Sequence, residues 1–423
     1  MCGITGALWS DPASAIDPST LNRMTDAIRH RGPDDADTHW ELDHRDGQGR
    51  PSNVALGFRR LSIIDIGGAR QPMSNEDGTV WLVFNGEIYN YRDLRRRLEG
   101  AGHRFATDGD GEAILHLYED IGTDCFSQLN GMFALAIWDQ RRSRLVLARD
   151  RIGKKPLYYS HQNDRLMFAS ELKCFSKVPG FKPEVDPAAI DEFLTYQYIP
   201  HPGTIWKGVN KLSPGHFATF SGGNLRVERY WNFDPQYQAS LSHDDAVQQV
   251  QFLLEDSVRI RLQSDVPLGA FLSGGIDSSL IVALAQRNSD SPIQTFSIGF
   301  PDKDFDETAY AAEVARFVGT DHTRFEVTPD GVSIIDKLAW HFDEPFGDSS
   351  AVPTWYLSEL TRKKVTVALS GDGGDELFAG YERYRALWLS RMIQKAFPLH
   401  NVPGISLIQR LPDSSKQRSI IRR

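Results

Sequence analysis

The loop Ser273–Ser279, with the sequence Ser-Gly-Gly-Ile-Asp-Ser-Ser, combines residue types that bind phosphate. Its adjacent glycines allow successive backbone N–H groups to point into one concavity, which favours an anion. Ser278 and Ser279 begin a predicted helix, whose unpaired amides and dipole add to that attraction. The loop is not a Walker A motif, because GxxxxGK followed by Ser or Thr occurs nowhere in the chain. An ordinary glycine-rich turn with a serine cap is the simpler alternative, but the whole strand–loop–helix arrangement favours an ATP site.

A second glycine-rich turn, Ser370–Glu376, follows another predicted strand and contains three carboxylates. Carboxylates this close together repel one another unless a cation offsets their charge. Mg²⁺ bound together with pyrophosphate is the economical explanation. A helix N-terminus would account for Asp375 and Glu376, but not for the glycines or for Asp372. We therefore expect Mg²⁺ to accompany ATP.

Cys2 is a candidate nucleophile. Removal of Met1 would leave a cysteine that carries both a thiol and a free α-amine. An α-amine has a pKa of about 7.7–8.0, against about 10.4 for lysine, so it can act as a general base toward its own thiol near neutral pH. The small residues that follow, Gly3–Ala7, suit a buried strand. A Met-Cys start without other motifs would be explained as incidental. The hypothesis that Cys2 is a nucleophile therefore depends on motifs farther along the chain.

Four other segments carry polar groups suited to binding an amino acid. An arginine beside an apolar run, in Arg59–Asp65, can grip a carboxylate with two hydrogen bonds. Asn85 and Gly86 can supply the donors of an oxyanion hole. Asp108–Glu112 offers carboxylates for an ammonium group, and His30–Asp34 is a polar turn. Each segment alone is explained as a turn, a cap or a surface pair, whereas all four together with Cys2 indicate a site.

The chain resembles the glutaminase domain of class II, N-terminal nucleophile (Ntn) glutamine amidotransferases in the segments Cys2–Ile4, His30–Asp34, Arg60–Ile63, Asn85–Asn90 and Gly131–Ala134. The phosphate loop makes it similar, within that class, to the glutamine-hydrolysing asparagine synthetase family. The resemblance covers essentially all 423 residues. It implies an α+β and α/β fold: an N-terminal αββα Ntn-hydrolase sandwich followed by a parallel-sheet α/β nucleotide-binding domain of PP-loop type.

For the first half, the resemblance implies that Cys2 is the nucleophile and that Asn85 and Gly86 form the oxyanion hole. It also implies that Arg60 binds the α-carboxylate of glutamine. Glu87 and Asp110 are implied to bind the α-amine of glutamine and to position its side chain, and Ile63 is a further implied contact.

For the second half, the resemblance implies that ATP adenylates aspartate and releases pyrophosphate, after which ammonia displaces AMP. Ammonia from solution would be mostly unreactive ammonium, so a protected passage between the two sites is also implied. The expected ATP- and pyrophosphate-binding residues are Leu272, Ser273, Gly274, Gly275, Asp277, Ser278, Ser279, Ser297, Ser370 and Gly371. Asp277 and Asp375 are the expected Mg²⁺ ligands. Asp372, where some family members carry Glu, is expected on the acceptor side.

Family members continue well beyond the second turn, with a portion that carries a lysine thought to stabilise the adenylate-forming transition state. Here a predicted helix to about residue 395 precedes a tail, Leu411–Arg423, that is expected to be unstructured. We interpret the sequence either as a fragment or as a protein with an incomplete synthetase half.

Hydrophobic periodicity predicts the elements that position these residues. Predicted strands of an antiparallel first half are 54–58, 80–84, 133–138, 144–148 and 166–170, with helices at 18–28, 91–101 and 113–120. The second half alternates, which indicates a parallel sheet: helix 244–263, strand 266–272, helix 278–286, strand 294–298, helices 307–318 and 331–342, and strand 365–370. A Pro- and Gly-punctuated region near residue 210 is the expected boundary between domains 2–210 and 211–423.

Composition is that of a globular protein, with 40% hydrophobic and 24% charged residues. The net charge of −9 argues against nucleic-acid or anionic membrane partners. The chain lacks an apolar run of about 18 residues and a basic leader, so a cytoplasmic location is expected. Its three cysteines, without CxxC spacing, disfavour disulfides and a cysteine zinc site. The expected partners are glutamine, ATP and aspartate or another carboxylate, and a homodimer is compatible with the sequence.

Two other functions stay open. One is an ATP-dependent amidotransferase that acts on another carboxylate, such as a polysaccharide uronic acid, a peptide or a β-amino acid. The other is a stand-alone glutaminase whose second half binds nucleotide without turnover.

Overall fold

A computed structural model describes residues 1–162, 164–234, 240–301, 306–328 and 330–396. The chain divides into two compact units: Met1–Pro267 with Thr328–Val367, and Leu268–Val327 with the chain from Ala368 onward. The tail Leu411–Arg423 lies outside the described residues. Within those ranges, no helix has both the length and the apolar character needed to cross a membrane.

The strands, in chain order, are β1 (Gly3–Trp9), β2 (Asp35–Glu41), β3 (Asn53–Arg60), β4 (Met73–Ser74), β5 (Val80–Ile88), β6 (Gly131–Asp139), β7 (Arg144–Arg149), β8 (Tyr158–Gln162), β9 (Arg165–Ala169), β10 (Asn210–Lys211), β11 (His216–Ser221), β12 (Asn224–Arg229), β13 (Leu268–Phe271), β14 (Gln294–Gly299), β15 (Asp321–Glu326) and β16 (Val367–Leu369). The α-helices are α1 (Pro18–Ala27), α2 (Tyr91–Ala101), α3 (Gly111–Ile121), α4 (Cys125–Gln128), α5 (Pro187–Tyr196), α6 (His243–Arg261), α7 (Ile276–Arg287), α8 (Thr308–Val318), α9 (Gly331–Phe342), α10 (Ala351–Thr361), α11 (Gly374–Phe378) and α12 (Glu382–Ala396). Short 3₁₀ turns lie at Pro12–Ser14, Gly122–Asp124 and Leu172–Lys177.

The first unit contains two antiparallel sheets packed face to face. Their strand orders are β10-β8-β9-β1-β3-β2 and β12-β11-β7-β6-β5-β4. Apolar residues from both sheets, among them Ile4, Phe58, Val83 and Trp138, form one buried cluster between them. Such a double layer buries one face of each sheet, and each outer face needs a cover.

Helices supply those covers. Residues of α1 and of the 3₁₀ turn Leu172–Lys177 pack with the first sheet around Leu21, Met24 and Phe175. Residues of α2 and α3 pack on the second sheet around Leu98 and Tyr118. The architecture is therefore four layers, α, β, β and α, and the predicted sandwich is confirmed.

Sequence signals explain why these helices begin where they do. Asp17 accepts a hydrogen bond from the backbone nitrogen of Thr20 at 2.8 Å, and Pro18 occupies the first helical position of α1. In α5, Asp186 and Pro187 repeat that arrangement. Each start therefore combines an N-cap side chain with a proline that loses no backbone hydrogen bond.

The second unit is built on a smaller sheet with the order β15-β14-β13-β16. β14 runs parallel to both β13 and β15. Residues of β13, α7 and α8 form its core around Ala270, Val282 and Ala311. The predicted parallel α/β arrangement is therefore confirmed.

Hydrophobic periodicity did not predict the strands β2, β11, β12 and β15. The strand β11 pairs with β7, so the second sheet of the first unit continues past residue 210. The domain boundary expected near that residue stays a prediction.

Candidate active site

Cys2 immediately precedes β1, whose residues are all buried. Its thiol lies against Leu61, just beyond β3: Sγ is 3.4 Å from the backbone nitrogen and 3.6 Å from the carbonyl oxygen. Burial raises the pKa of the Cys2 thiol, although the hydrogen bond from Leu61 and the terminal amine lower it in part. The thiol is therefore fixed in place and protonated in this state, so its reaction requires a base.

Arg31 holds the backbone of Cys2. Its Nε donates to the carbonyl oxygen of Cys2 at 2.9 Å, and its Nη1 donates to Glu171 Oε1, also at 2.9 Å. His30 Nε2 lies 2.9 Å from the same carboxylate oxygen. Arg31 and Glu171 are buried, so this pair is shielded from solvent. Their role was missed from sequence, where His30–Asp34 was interpreted as a polar turn.

Asn85 lies in the middle of β5, opposite Ala134 of β6. It is 1% exposed, and its side-chain nitrogen has no hydrogen-bond partner among the described residues. A buried amide donor without a partner is costly and calls for an explanation. At Gly86, a Cβ would lie 2.2 Å from the Met132 carbonyl oxygen, so only glycine fits there.

Glu87 and Asp110 form a pair of partly buried carboxyl groups near Cys2. Burial raises the pKa of both, and the charge of Asp110 raises that of Glu87 further. Both carboxylates also raise the pKa of Cys2. The backbone nitrogen of Ile88 donates to Asp110 Oδ2 at 2.7 Å and so fixes this side chain beside β5. A cation placed here would be stabilised.

Arg60 ends β3 and is 6% exposed. Its guanidinium donates to the carbonyl oxygens of Ile66 at 3.0 Å and Asp65 at 2.6 Å, which shapes the loop after β3. Ile63 lies in that loop, and its carbonyl oxygen accepts from the backbone nitrogen of Asp265 at 3.0 Å. The loop borders a cavity of about 560 Å³, lined by Asp34, Asp35, Arg60, Ser62, Ile66, Gly67, Arg70, Val266, Arg362 and Thr366.

Lys155 is a second residue that the sequence did not single out. It is 6% exposed, and burial, followed by the charge of Arg31, lowers its pKa to about 8. Its charge also contributes to lowering the pKa of Glu87 and of the terminal amine. The sequence showed only a basic turn, so nothing in it distinguished Lys155 from its charged neighbours.

In the second unit, the loop Ser273–Ser279 follows β13 and includes the first turn of α7, which begins at Ile276. Gly274 has φ +86°, and a Cβ there would lie 2.5 Å from Tyr310 Cβ, so the loop and α8 approach closely at this glycine. The hydroxyls of Ser273 and Ser278 lie 2.9 Å apart, and the backbone nitrogen of Gly275 donates to Ser273 Oγ at 3.2 Å. Ser279 Oγ is buried without a partner in the described chain.

The two glycine-rich turns lie together in this unit. A Cβ at Gly371 would lie 2.7 Å from the Ser278 nitrogen, and one at Gly374 would lie 2.4 Å from Asp277 Cγ. Asp375 follows directly and is partly exposed. Mg²⁺ bound with phosphates usually takes one or two carboxylates and keeps several waters, so Asp277 and Asp375 fit such an ion.

The remaining predicted residues lie on the same strands or turns. Ser297 is in β14, and its Oγ lies 3.1 Å from His322 Nε2. Leu272 is 1% exposed, packs in the core of the unit, and donates from its nitrogen to the Phe296 carbonyl oxygen at 2.8 Å. Ser370 Oγ donates to Asp372 Oδ2 at 3.0 Å.

Comparison with protein families matches residues 1–231 to the glutamine amidotransferase domain and residues 249–422 to asparagine synthase. The chain is 40% identical to glutamine-hydrolyzing asparagine synthetase 1 of Bacillus subtilis, over 91% of this chain and 60% of that protein. It is 39% identical to a putative glutamine-hydrolyzing asparagine synthetase of Mycobacterium tuberculosis, over 100% of this chain and 67% of that protein. A putative glutamine-hydrolyzing asparagine synthetase 2 of Methanocaldococcus jannaschii is 37% identical, over 90% of this chain and 76% of that protein.

The chain thus spans 60–76% of the length of these three relatives. Both family matches and all three relatives agree with the resemblance predicted from the sequence, whereas the two compact units divide the chain at other residues. This chain belongs to the glutamine-hydrolysing asparagine synthetase family.

Proposed function

We propose that the chain contains the glutaminase site and part of the ATP site of a glutamine-dependent asparagine synthetase. Glutamine and water give glutamate and ammonia; ATP adenylates aspartate with release of pyrophosphate, and ammonia then converts the adenylate to asparagine with release of AMP. The observation that carries the proposal is the unpartnered, buried amide of Asn85, beside the pair of carboxyl groups that influences Cys2.

In the first step, Cys2 Sγ attacks the carboxamide carbon of glutamine. The thiol proton goes to the α-amine that removal of Met1 leaves on Cys2. In the structure the terminal amine is that of Met1, and burial, aided by the charges of Arg31, Lys155 and Arg362, lowers its pKa to about 5. The α-amine of Cys2 forms when Met1 is removed, and as an unprotonated amine it can accept the proton.

The carbonyl oxygen of glutamine becomes an oxyanion during that attack. Asn85 Nδ2 is the buried donor that can receive it, with the backbone N–H of Gly86 as the second donor. As the intermediate collapses, the departing amino group takes the proton from the protonated α-amine and leaves as ammonia. Water then hydrolyses the thioester on Cys2, releasing glutamate and restoring the thiol.

The charged ends of glutamine need opposite charges. Arg60, on the wall of the cavity, is the proposed partner of the α-carboxylate, with Ile63 in the same loop. Glu87 and Asp110 are the proposed partners of the α-ammonium. The raised pKa values of Glu87 and Asp110 favour their protonated forms in the absence of a ligand. A bound ammonium group lowers both pKa values, so glutamine binding is expected to release protons.

In the second unit, the loop Ser273–Ser279 and the turn Ser370–Asp375 are proposed to hold the phosphates of ATP. The unpartnered hydroxyl of Ser279 supports a ligand at this loop. Mg²⁺, when bound, would offset the charge of the phosphates, with Asp277 and Asp375 as its protein ligands. A homodimer, a cytoplasmic location and the absence of a nucleic-acid partner stay predictions.

Glutamate release by the 423-residue chain tests the first site. Cys2→Ala is expected to abolish it, whereas Cys125→Ala, which removes a buried thiol from the core of the second sheet, is expected to retain it. Equal glutamate release by the wild type and by Cys2→Ala would disprove the assignment. Pyrophosphate release with aspartate, a uronic acid, a peptide or a β-amino acid then tests the acceptor. Release with aspartate identifies the synthetase, and release with another carboxylate alone identifies the related amidotransferase.

A further inference from the structure

Four side chains in the first unit bring metal-binding atoms together outside the glutamine site. Glu76 lies in the turn before β5, His103 follows α2, and His116 and Glu119 lie on α3. One ligating atom from each lies within 4.8 Å of the other three. In the part of the chain that the structure describes, this is the one group of three or more His, Cys, Asp or Glu residues with that property.

Three nitrogen–oxygen distances in this cluster are close to the spacing of ligand atoms in a tetrahedral metal site. His116 Nδ1 is 3.2 Å from Glu119 Oε2 and 3.5 Å from Glu76 Oε2, and His103 Nδ1 is 3.9 Å from Glu76 Oε1. Zinc bonds of about 2.0–2.1 Å place the ligand atoms of a tetrahedron about 3.3 Å apart. The four ligating atoms lie within 4.8 Å of one another, so an ion would draw the more distant ligands closer by up to about 1.5 Å.

The second nitrogen of each imidazole faces a carboxylate outside the cluster. His103 Nε2 is 2.9 Å from Asp120 Oδ1, and His116 Nε2 is 3.6 Å from Glu112 Oε1. Metal-bound histidines commonly have such outer carboxylates, which fix the ring and make the ligating nitrogen more basic. The pattern therefore assigns Nδ1 of both rings to the metal.

The surrounding backbone and side chains hold these carboxylates in place. Glu112 accepts from the backbone nitrogens of Ala106 and Thr107, at 2.7 and 2.8 Å. The second oxygen of Glu119 accepts from Asn75 Nδ2 at 2.6 Å. His116 is fully buried, and its Nε2 has no hydrogen-bond partner among the described residues. The site is thus built into the fold and is not a chance meeting of surface groups.

The rings of His103 and His116 lie close together, with centroids 4.6 Å apart. One dication shared by the two imidazoles and two carboxylates gives a four-ligand set without net charge. Two imidazoles and two carboxylates in a four-coordinate arrangement suit Zn²⁺.

We propose that Glu76, His103, His116 and Glu119 bind one Zn²⁺ ion. The ion joins the turn before β5, the loop after α2 and the middle of α3, and so acts as a structural clip. None of these ligands is among the residues assigned to glutamine or ATP, so the proposal does not depend on the enzymatic function.

The test uses the 423-residue chain after treatment with a chelator. Titration with Zn²⁺ against a chromophoric chelator is expected to show one equivalent bound, and Co²⁺ is expected to give the visible absorption of a four-coordinate site. Zn²⁺ is also expected to raise the unfolding temperature, because it binds the folded chain. This readout does not involve activity.

His103→Gln and Glu76→Gln remove ligands on partly exposed side chains, so these variants are expected to fold. Both should lose stoichiometric binding, and Asp120→Asn, which changes an outer carboxylate, should weaken it by about 10- to 100-fold. His243→Gln is the control, because His243 lies on α6 with an 89% exposed side chain and should not change binding. No uptake by the wild type, or equal uptake by the wild type and His103→Gln, overturns the proposal.

Discussion

Arg31 donates a hydrogen bond to the backbone oxygen of Cys2, across 29 residues of sequence and at 2.9 Å. The same guanidinium pairs with Glu171, so the position of the proposed nucleophile depends on a buried ion pair. Because arginine binds through a planar fork, lysine cannot make both contacts with the same geometry.

Arg31→Lys is therefore expected to lower the kcat for glutamate release at least tenfold, with a smaller change in KM. It should also reduce the free energy of unfolding by roughly 3 kcal/mol, because the buried carboxylate of Glu171 loses its hydrogen bond from Arg31. Steady-state kinetics and urea unfolding measure the two effects. Arg29→Lys, at an exposed position on the same turn, should change neither; an unchanged kcat for Arg31→Lys would disprove the positioning role.

Asn85→Ala is expected to lower the kcat of glutamate release by about 100- to 1,000-fold, as loss of one oxyanion-hole donor does elsewhere. Stability should change little through hydrogen bonding, because Asn85 Nδ2 has no partner to lose among the described residues. Kinetics and thermal unfolding of the same preparation measure both effects. Asn224→Ala, in the exposed β11–β12 hairpin, serves as the control. A large loss of stability with unchanged kcat would indicate a structural role instead.

Glu171 is expected to make the fold sensitive to acid. Burial alone would raise its pKa, but the hydrogen bond to His30 and the charges of Arg31 and Lys173 lower it to about 2, from an ordinary value of 4.5. A carboxylate with a lowered pKa stabilises the fold above its unfolded pKa, and this contribution is lost as the pH falls from about 4.5 toward 2. The full contribution is at most about 3 kcal/mol.

Urea unfolding between pH 6 and about pH 3 measures this effect. Glu171→Gln should flatten the decline in stability over that range, whereas Glu184→Gln, with a 70% exposed side chain, should leave it unchanged. The same slope in the wild type and in Glu171→Gln would show that other groups control acid sensitivity.

Gly274→Ala is expected to weaken nucleotide binding and to destabilise the second unit. Alanine at φ +86° costs about 1–2 kcal/mol, and its Cβ would also meet Tyr310. Gly275 has φ −69° and meets only Ser273 Oγ, at 3.3 Å, so Gly275→Ala should destabilise less. Thermal unfolding and equilibrium binding of ATP measure both variants. Equal stability of the two would contradict the close approach at Gly274.

Much of the fold was predictable because its signals are local. The apolar periodicity of Tyr91–Ala101 and Gly331–Phe342 predicted both helices, and the structure has the same limits. The missed strand Asp35–Glu41 is polar, lies at the edge of its sheet and has no fully buried residue, so it lacks the alternation that marks a strand. Asp321–Glu326 is likewise polar and has no fully buried residue.

The candidate site was predictable where a motif carries the chemistry, as for Cys2 and Asn85. Arg31, Lys155 and Glu171 were missed because their importance arises from contacts between distant segments; Glu171 lies 140 residues from its partner Arg31. Such pairings depend on the packed fold. A single sequence shows only that the residues are charged.

The discontinuous first unit has a consequence for synthesis of the protein. Lys211 forms an ion pair with Glu344, and Lys173 forms one with Asp343. Both acids lie in Thr328–Val367, which belongs to the first unit but follows the 60 residues Leu268–Val327 of the second unit. On a ribosome, the nascent chain must therefore wait for Thr328–Val367 to emerge before these two largely buried lysines find their partners. Until that moment, Lys211 lacks its carboxylate partner, and Lys173 has only Glu171 of its two.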